Sequence, residues 1–83
     1  MIYVLDFCFQ QTKEDELKFL IAKKNGMISD KYVDGFEKSD VPRFLKGSAL
    51  FDTLEDVNWF VYNALMKFGI YFFITKLEEV KVD

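Results

Sequence analysis

The sequence has no histidine and only one cysteine. Histidine is the commonest general base in enzymes, and His/Cys sets form most structural zinc sites. The absence of histidine therefore excludes a Cys–His nucleophile and, with only one cysteine present, the usual zinc sites. Cys8 cannot form an internal disulfide and lies in an apolar run, which predicts a buried free thiol in a reducing compartment.

Glycine is also scarce, with four residues in 83, and they stand apart from one another. Isolated glycines do not make the phosphate loop or the dinucleotide fingerprint, and no calcium-loop motif occurs. Any activity would have to rely on carboxylates and a metal alone. We therefore expect a protein that is not an enzyme and that has no cofactor, no metal site and no catalytic residues.

An uninterrupted apolar run is missing too. Val57–Thr75 is about long enough to span a membrane, but polar residues such as Asn63 and Lys67 interrupt it. A helix, a turn and a strand explain these interruptions better, so we predict no membrane segment. No cationic region precedes an apolar core at the start of the sequence, so we expect no signal peptide and a cytoplasmic location.

Charge and length limit the possibilities further. With 83 residues, 30% of them charged, the chain predicts one compact domain over residues 1–83. The net charge of −3 gives no general attraction for nucleic acid, which is disfavoured as a partner.

Aromatic side chains, in contrast, are abundant: they make up 18% of the chain, and ten are phenylalanine. A domain of this size buries only about 60–65% of the surface of its unfolded chain. We expect some ring area to stay exposed or to be buried against a partner.

Thr53–Gly69 predicts one amphipathic helix. Asp52 or Thr53 can cap its N-terminus, and Gly69 is the expected left-handed stop. The helical period places the core-facing residues on one arc: Leu54, Val57, Val61, Ala64, Leu65 and Phe68.

A second stripe on this helix consists of Trp59, Tyr62 and Met66. It either packs under a loop formed by Val41–Phe51 or serves as a contact surface, because Trp, Tyr and Met are enriched at protein interfaces.

Two apolar segments predict strands. Ile2–Phe9 is apolar on both alternations, which is typical of a central strand, and Ile70–Leu77 is expected beside it at the centre of the sheet. Asp6 interrupts the first strand and indicates a bulge, the end of the sheet or a pair with a lysine.

Leu17–Lys24 and Met27–Asp34 predict a hairpin around Asn25-Gly26, with the second arm as an edge strand. Residues 36–52 carry weaker sequence signals. A helical turn near Pro42 and a short extended piece at Ser48–Phe51 are expected there. The predicted fold class is α+β, a small, mostly antiparallel sheet of about four strands in the order β-β-β-α-β with one helix packed on one face.

Two charged clusters remain. The acidic cluster contains Asp30, Asp34, Glu37 and Asp40. It could hold a cation or act as an acid/base pair, form a solvated rim, or meet a basic groove on a partner. The basic cluster combines Lys18, Lys23, Lys24 and Lys31 with Phe19 and Tyr32. It could bind single-stranded nucleic acid, or its lysines could keep an edge strand soluble.

The profile resembles that of small orphan proteins encoded by phages and other mobile elements. The resemblance rests on length, aromatic content and mild acidity and covers no particular stretch. It implies an inhibitor of a host machine, such as an anti-CRISPR or anti-restriction protein, that binds a larger protein or protein complex and occludes a functional surface. The expected contact residues are Trp59, Tyr62, Met66, Asp30, Asp34 and Glu37. The alternatives are a homo-oligomeric structural or accessory subunit, for example a homodimer, and a single-stranded nucleic-acid binder that uses the lysine-rich hairpin.

Overall fold

The structure, a computed structural model, describes residues 1–23 and 36–81. It is a small α+β fold with two helices and a four-stranded antiparallel sheet. The elements follow the order β1 (Ile2–Gln10), α1 (Glu14–Lys23), β2 (Glu37–Lys38), β3 (Phe44–Phe51), α2 (Leu54–Tyr62) and β4 (Phe72–Val80). A 3-10 turn precedes α1, and a π-helical segment, Asn63–Lys67, prolongs α2.

The sheet has the strand order β2-β3-β1-β4, and every pairing is antiparallel. The first strand is central, as its two apolar alternations predict. Its ladder with β4 runs from Ile2 opposite Val80 to Phe9 opposite Phe72. The expectation that the last strand lies beside the first is confirmed, but among the described strands it occupies an outer position and not the centre.

Asp6 marks a bulge, one of the outcomes expected for it. The register between β1 and β4 shifts between Asp6 and Phe7. On the other side of β1, the Ser48 hydroxyl donates a hydrogen bond to Asp6 Oδ1. The half-buried carboxylate is therefore satisfied from β3, while the bulge bends the ladder with β4.

A cluster of phenylalanine rings joins the sheet to the helices. Leu5, Phe7 and Phe9 point to one face of β1 and are fully buried there. The Phe7 ring centroid lies 4.9 Å from that of Phe72 and 5.6 Å from that of Phe60 on α2. Both helices contribute buried residues to this single cluster, so both cover the same face of the sheet.

The predicted strand Leu17–Lys24 is wrong, because the chain forms α1 over most of it. Leu17, Leu20 and Ile21 have helical spacing and are buried, whereas Phe19 is exposed. Three acidic residues, from Glu14 to Glu16, occupy the first turn, where the helix dipole favours them. The Asn25-Gly26 turn and the second arm, Met27–Asp34, lie outside the described residues.

The expected helical turn near Pro42 is also wrong, because the chain forms a tight turn between β2 and β3. The Ser39 hydroxyl donates to the carbonyl of Phe44 at 2.8 Å, and the Val41 N–H donates to the Ser39 oxygen at 3.1 Å. The extended piece expected at Ser48–Phe51 is confirmed as the end of β3. Val41–Phe51 is therefore mostly strand and not a loop.

The ends predicted for the long helix are confirmed. The Asp56 N–H donates to Thr53 Oγ1 at 3.1 Å, a cap that contributes about 1 kcal/mol. Gly69 has a φ of 59°, in the left-handed region that glycine adopts without strain.

The predicted core arc of this helix needs a correction. Val57 and Ala64 are buried as expected, but Leu54 and Leu65 are exposed. Phe60, outside the predicted arc, is fully buried against Phe7, Phe51 and Phe72. The rotation of the helix buries the whole Phe60 ring and so removes a large apolar area from water, while the larger Trp59 side chain stays half-buried.

Candidate protein-interaction surface

The stripe predicted on the helix divides into exposed and packed residues. Tyr62 and Met66, one turn apart, are 57% and 70% exposed. Trp59 is half-buried and packs against the core cluster. Tyr62 and Met66 are therefore open to a partner, whereas Trp59 mainly helps to hold the helix on the sheet.

A buried asparagine fixes the geometry beneath these side chains. Asn63 Nδ2 donates to the Trp59 carbonyl at 2.7 Å. The Asn63 carbonyl accepts from the Phe68 N–H at 3.0 Å, five residues on, as a π-helical turn requires. The amide thus ties the end of α2 to the π-helical segment that carries Leu65 and Met66.

Two apolar residues that the sequence analysis placed elsewhere adjoin the stripe. Leu65, assigned to the core arc, is 42% exposed and lies between Tyr62 and Met66 in the sequence. Phe19, assigned to a strand, is 60% exposed on α1, and its ring centroid is 6.3 Å from that of Phe68. Phe68 ends the π-helical segment that carries Leu65 and Met66, so its ring contact with Phe19 joins that segment to α1. We call this set the helix patch: Phe19, Tyr62, Leu65, Met66 and Phe68.

Of the predicted acidic contact residues, the structure describes Glu37, which lies on the sheet and not on the helices that carry the helix patch. Glu37 is exposed on β2, an outer strand, with its Oε2 atom 3.8 Å from Lys46 Nζ. Asp30 and Asp34 lie outside the described residues. Over residues 1–23 and 36–81, no group of three or more His, Cys, Asp or Glu side chains could hold a metal ion.

Two lysines of the predicted basic cluster, Lys18 and Lys23, lie on α1 and not on a hairpin arm. Lys18 Nζ lies 2.8 Å from Glu14 Oε2, one turn earlier on the same helix. A hydrogen bond from this ammonium to Glu14 raises the pKa of Lys18. Lys24, Lys31 and Tyr32 lie outside the described residues.

The second face of the sheet carries a smaller apolar group. Cys8 lies there between Lys46 on β3 and Phe73 on β4 in the ladder register. The rings of Phe44 and Phe73 are 5.7 Å apart on either side of β1. Cys8 itself is buried, as the sequence predicts.

The reactivity of the Cys8 thiol tests whether this face of the sheet protects it. Burial raises the pKa of the Cys8 thiol, while the positive charge of Lys46 lowers it and Asp40 raises it. Because the thiolate is the reactive form, a thiol reagent should modify the native protein far more slowly at neutral pH than the urea-unfolded protein. Lys46→Gln should slow the native reaction further, because it removes the charge that opposes the shift.

The same raised pKa makes stability depend on pH. The unfolded chain loses its thiol proton near pH 8.5, before the folded chain does. The contribution of Cys8 to stability is thus intact below that pH and is lost as the pH rises through the folded-state pKa. Cys8→Ala should remove this part of the alkaline decline in urea titrations. In the thiol-reagent experiment, equal modification rates of Cys8 in the native and in the urea-unfolded protein would contradict a protected thiol.

A scan against models of known protein families and a search of curated protein sequences found no match. In the part of the chain that the structure describes, no helix combines the length and apolar character needed to cross a membrane.

Proposed function

We propose that this protein is a small, non-enzymatic binding module that docks onto a larger protein and occludes a functional surface. The helix patch is the observation that supports this most directly. Tyr62, Leu65 and Met66 expose large apolar side chains on α2 and its π-helical continuation, and Phe19 exposes another on α1, where its ring lies near Phe68. An exposed cluster of this kind marks interaction sites more often than ordinary surface, and tyrosine and methionine are well suited to contact.

The rigidity of the patch adds to this argument. The hydrogen bond from the Asn63 side chain and the packing of Trp59 against the core fix the helical backbone beneath Tyr62 and Met66. Binding would therefore require little backbone ordering, and more of the contact energy would remain as affinity.

The chemistry of the surface indicates the kind of partner that it fits. Asp15, Asp52 and Glu55 are exposed on α1 and at the start of α2, and the net charge of the chain is −3. A complementary partner offers an apolar groove and carries net positive charge, which speeds association with a chain of net charge −3. Asp30, Asp34 and Glu37 remain proposed contributors. A host-machine inhibitor of the anti-CRISPR or anti-restriction kind remains a proposal based on the sequence profile.

Affinity capture followed by titration with the isolated partner tests the proposal. Tyr62→Ala should weaken binding about tenfold or more, as expected for an interface aromatic. Tyr71→Ala is the matched control, because Tyr71 is 72% exposed outside the helix patch. It should bind like the unmodified protein.

The proposal fails if a folded Tyr62→Ala/Met66→Ala double variant binds the captured partner with unchanged affinity. It also fails if Tyr71→Ala weakens binding as much as Tyr62→Ala does. Far-ultraviolet circular dichroism of each variant shows that it is folded. Both tyrosines are exposed, so their removal is expected to change stability by no more than about 0.5 kcal/mol.

A further inference from the structure

Strand β4 is long and lies at the edge of the described sheet. It has nine residues, and within residues 1–23 and 36–81 it pairs with β1 alone. Phe73, Ile74, Leu77 and Val80 are all exposed along it. The outer backbone groups of such a strand can pair with another strand, and an apolar edge favours that pairing.

The charges on this strand have a self-complementary order. Lys76 and Glu78 have opposite signs, are both exposed, and are two residues apart with Leu77 between them. Within one copy Lys76 Nζ lies 3.0 Å from Glu78 Oε2, so pairing across the dimer exchanges this partner for the same one on the other copy. Two identical antiparallel strands related by a two-fold axis at Leu77 place Lys76 of each copy opposite Glu78 of the other. Opposite charges across an antiparallel pair stabilise it.

The register follows from the side chains. Residues directly opposite each other in an antiparallel pair point to the same face, so a two-fold axis normal to the sheet passes midway between one residue and the same residue of the other copy. An axis at Lys76 or at Glu78 sets a charge against its own copy. Within Thr75–Glu79, only the axis at Leu77 avoids this and also sets one exposed apolar side chain against another.

We propose that β4 pairs with β4 of a second copy of this chain, in an antiparallel ladder over Thr75–Glu79 centred on Leu77. The bulge, which leaves Thr75 without a partner on β1, ends this regular segment. An isologous contact of this kind joins the two four-stranded sheets into one continuous sheet.

The proposed ladder uses no residue of the helix patch. An axis normal to the sheet keeps the helices of both copies on the same side, because it does not exchange the two faces. Docking of another protein and pairing of two copies use different residues and can be tested separately.

Sedimentation equilibrium with charge-reversal variants tests the pairing. The unmodified chain should form dimers as its concentration rises, and Lys76→Glu should weaken the dimer about tenfold, because like charges then face each other twice. Glu78→Lys should do the same. The double variant Lys76→Glu/Glu78→Lys should restore the dimer, because it reverses every pair without losing complementarity.

Mixing the two single variants gives a sharper result. Lys76→Glu chains carry two acids and Glu78→Lys chains carry two lysines, so each should prefer the other to itself. Native mass spectrometry of the mixture should show an excess of heterodimer over either homodimer. A structural effect of the substitutions on the monomer would not produce this preference.

Three outcomes overturn the proposal. The unmodified chain is a monomer at every concentration, the dimer is insensitive to Lys76→Glu, or the double variant fails to recover although it is folded. A dimer that Tyr62→Ala disrupts and Lys76→Glu does not would place the contact on the helix patch instead.

Discussion

Replacing Phe60 by alanine is expected to lower the free energy of unfolding by about 3–5 kcal/mol. Phe60 is fully buried, and its ring centroid lies 5.3 Å from that of Phe51 and 5.6 Å from those of Phe7 and Phe72. Its removal leaves a cavity at the point where α2 meets the sheet. A chain of 83 residues has a total stability of about 4–12 kcal/mol, so the variant should be close to unfolding.

Urea denaturation followed by circular dichroism measures this loss. Phe19→Ala is the matched control, because it removes the same side chain from an exposed position on α1. We expect it to cost no more than about 1 kcal/mol. A Phe60→Ala variant within that range would contradict the central position of this ring.

Gly47→Ala is expected to destabilise the protein by about 1–3 kcal/mol, because the core has no room for the added methyl group. A Cβ at this position would lie 2.6 Å from Phe36 Cδ1 and 3.3 Å from Phe7 Cζ. The Phe36 ring also packs against Phe9, with 4.6 Å between the ring centroids. It cannot withdraw from Gly47 without disturbing that contact.

A double-mutant cycle identifies the cause. In a Phe36→Ala background the closest contact is gone and the 3.3 Å approach to Phe7 Cζ remains, so Gly47→Ala should cost much less or become neutral, since glycine in a strand costs about 0.5–1 kcal/mol relative to alanine. The same cost in both backgrounds would show that Phe36 is not responsible. Gly69→Ala serves as a control, because its φ of 59° predicts backbone strain where a Cβ meets no atom within 4 Å.

The parts of the fold that the sequence predicts well are those where one local signal is sufficient. Ile2–Phe9 is apolar on both alternations, and the structure places it between two neighbours. Thr53 and Gly69 form the helix cap and stop because capping depends on a few adjacent backbone groups.

Leu17–Lys24 shows where local signals conflict. Its apolar residues fit both a strand and a helix, and the Asn-Gly dipeptide after it favours the hairpin interpretation. The three acids before Leu17 and the four-residue spacing of Glu14 and Lys18 are helix signals that would have decided the question.

The composition of the helix patch could be predicted only in part. Tyr62 and Met66 lie outside the core arc on any helical projection, and they are exposed. Leu65 and Phe19 could not be assigned, because their exposure depends on how far α2 rotates to bury Phe60 and on α1 being a helix. That rotation is a property of the whole core and not of the local sequence.

The position of β1 in the sheet has a consequence during synthesis. This strand is made long before its neighbours, since the residues opposite it belong to Phe44–Phe51 and Phe72–Val80. A nascent chain therefore carries an apolar segment with no ladder on either side until residue 51 has been made, and with one side still open until translation has passed residue 80. Contacts between residues far apart in sequence slow folding. Until it is paired, β1 can bind chaperones or aggregate in crowded expression hosts.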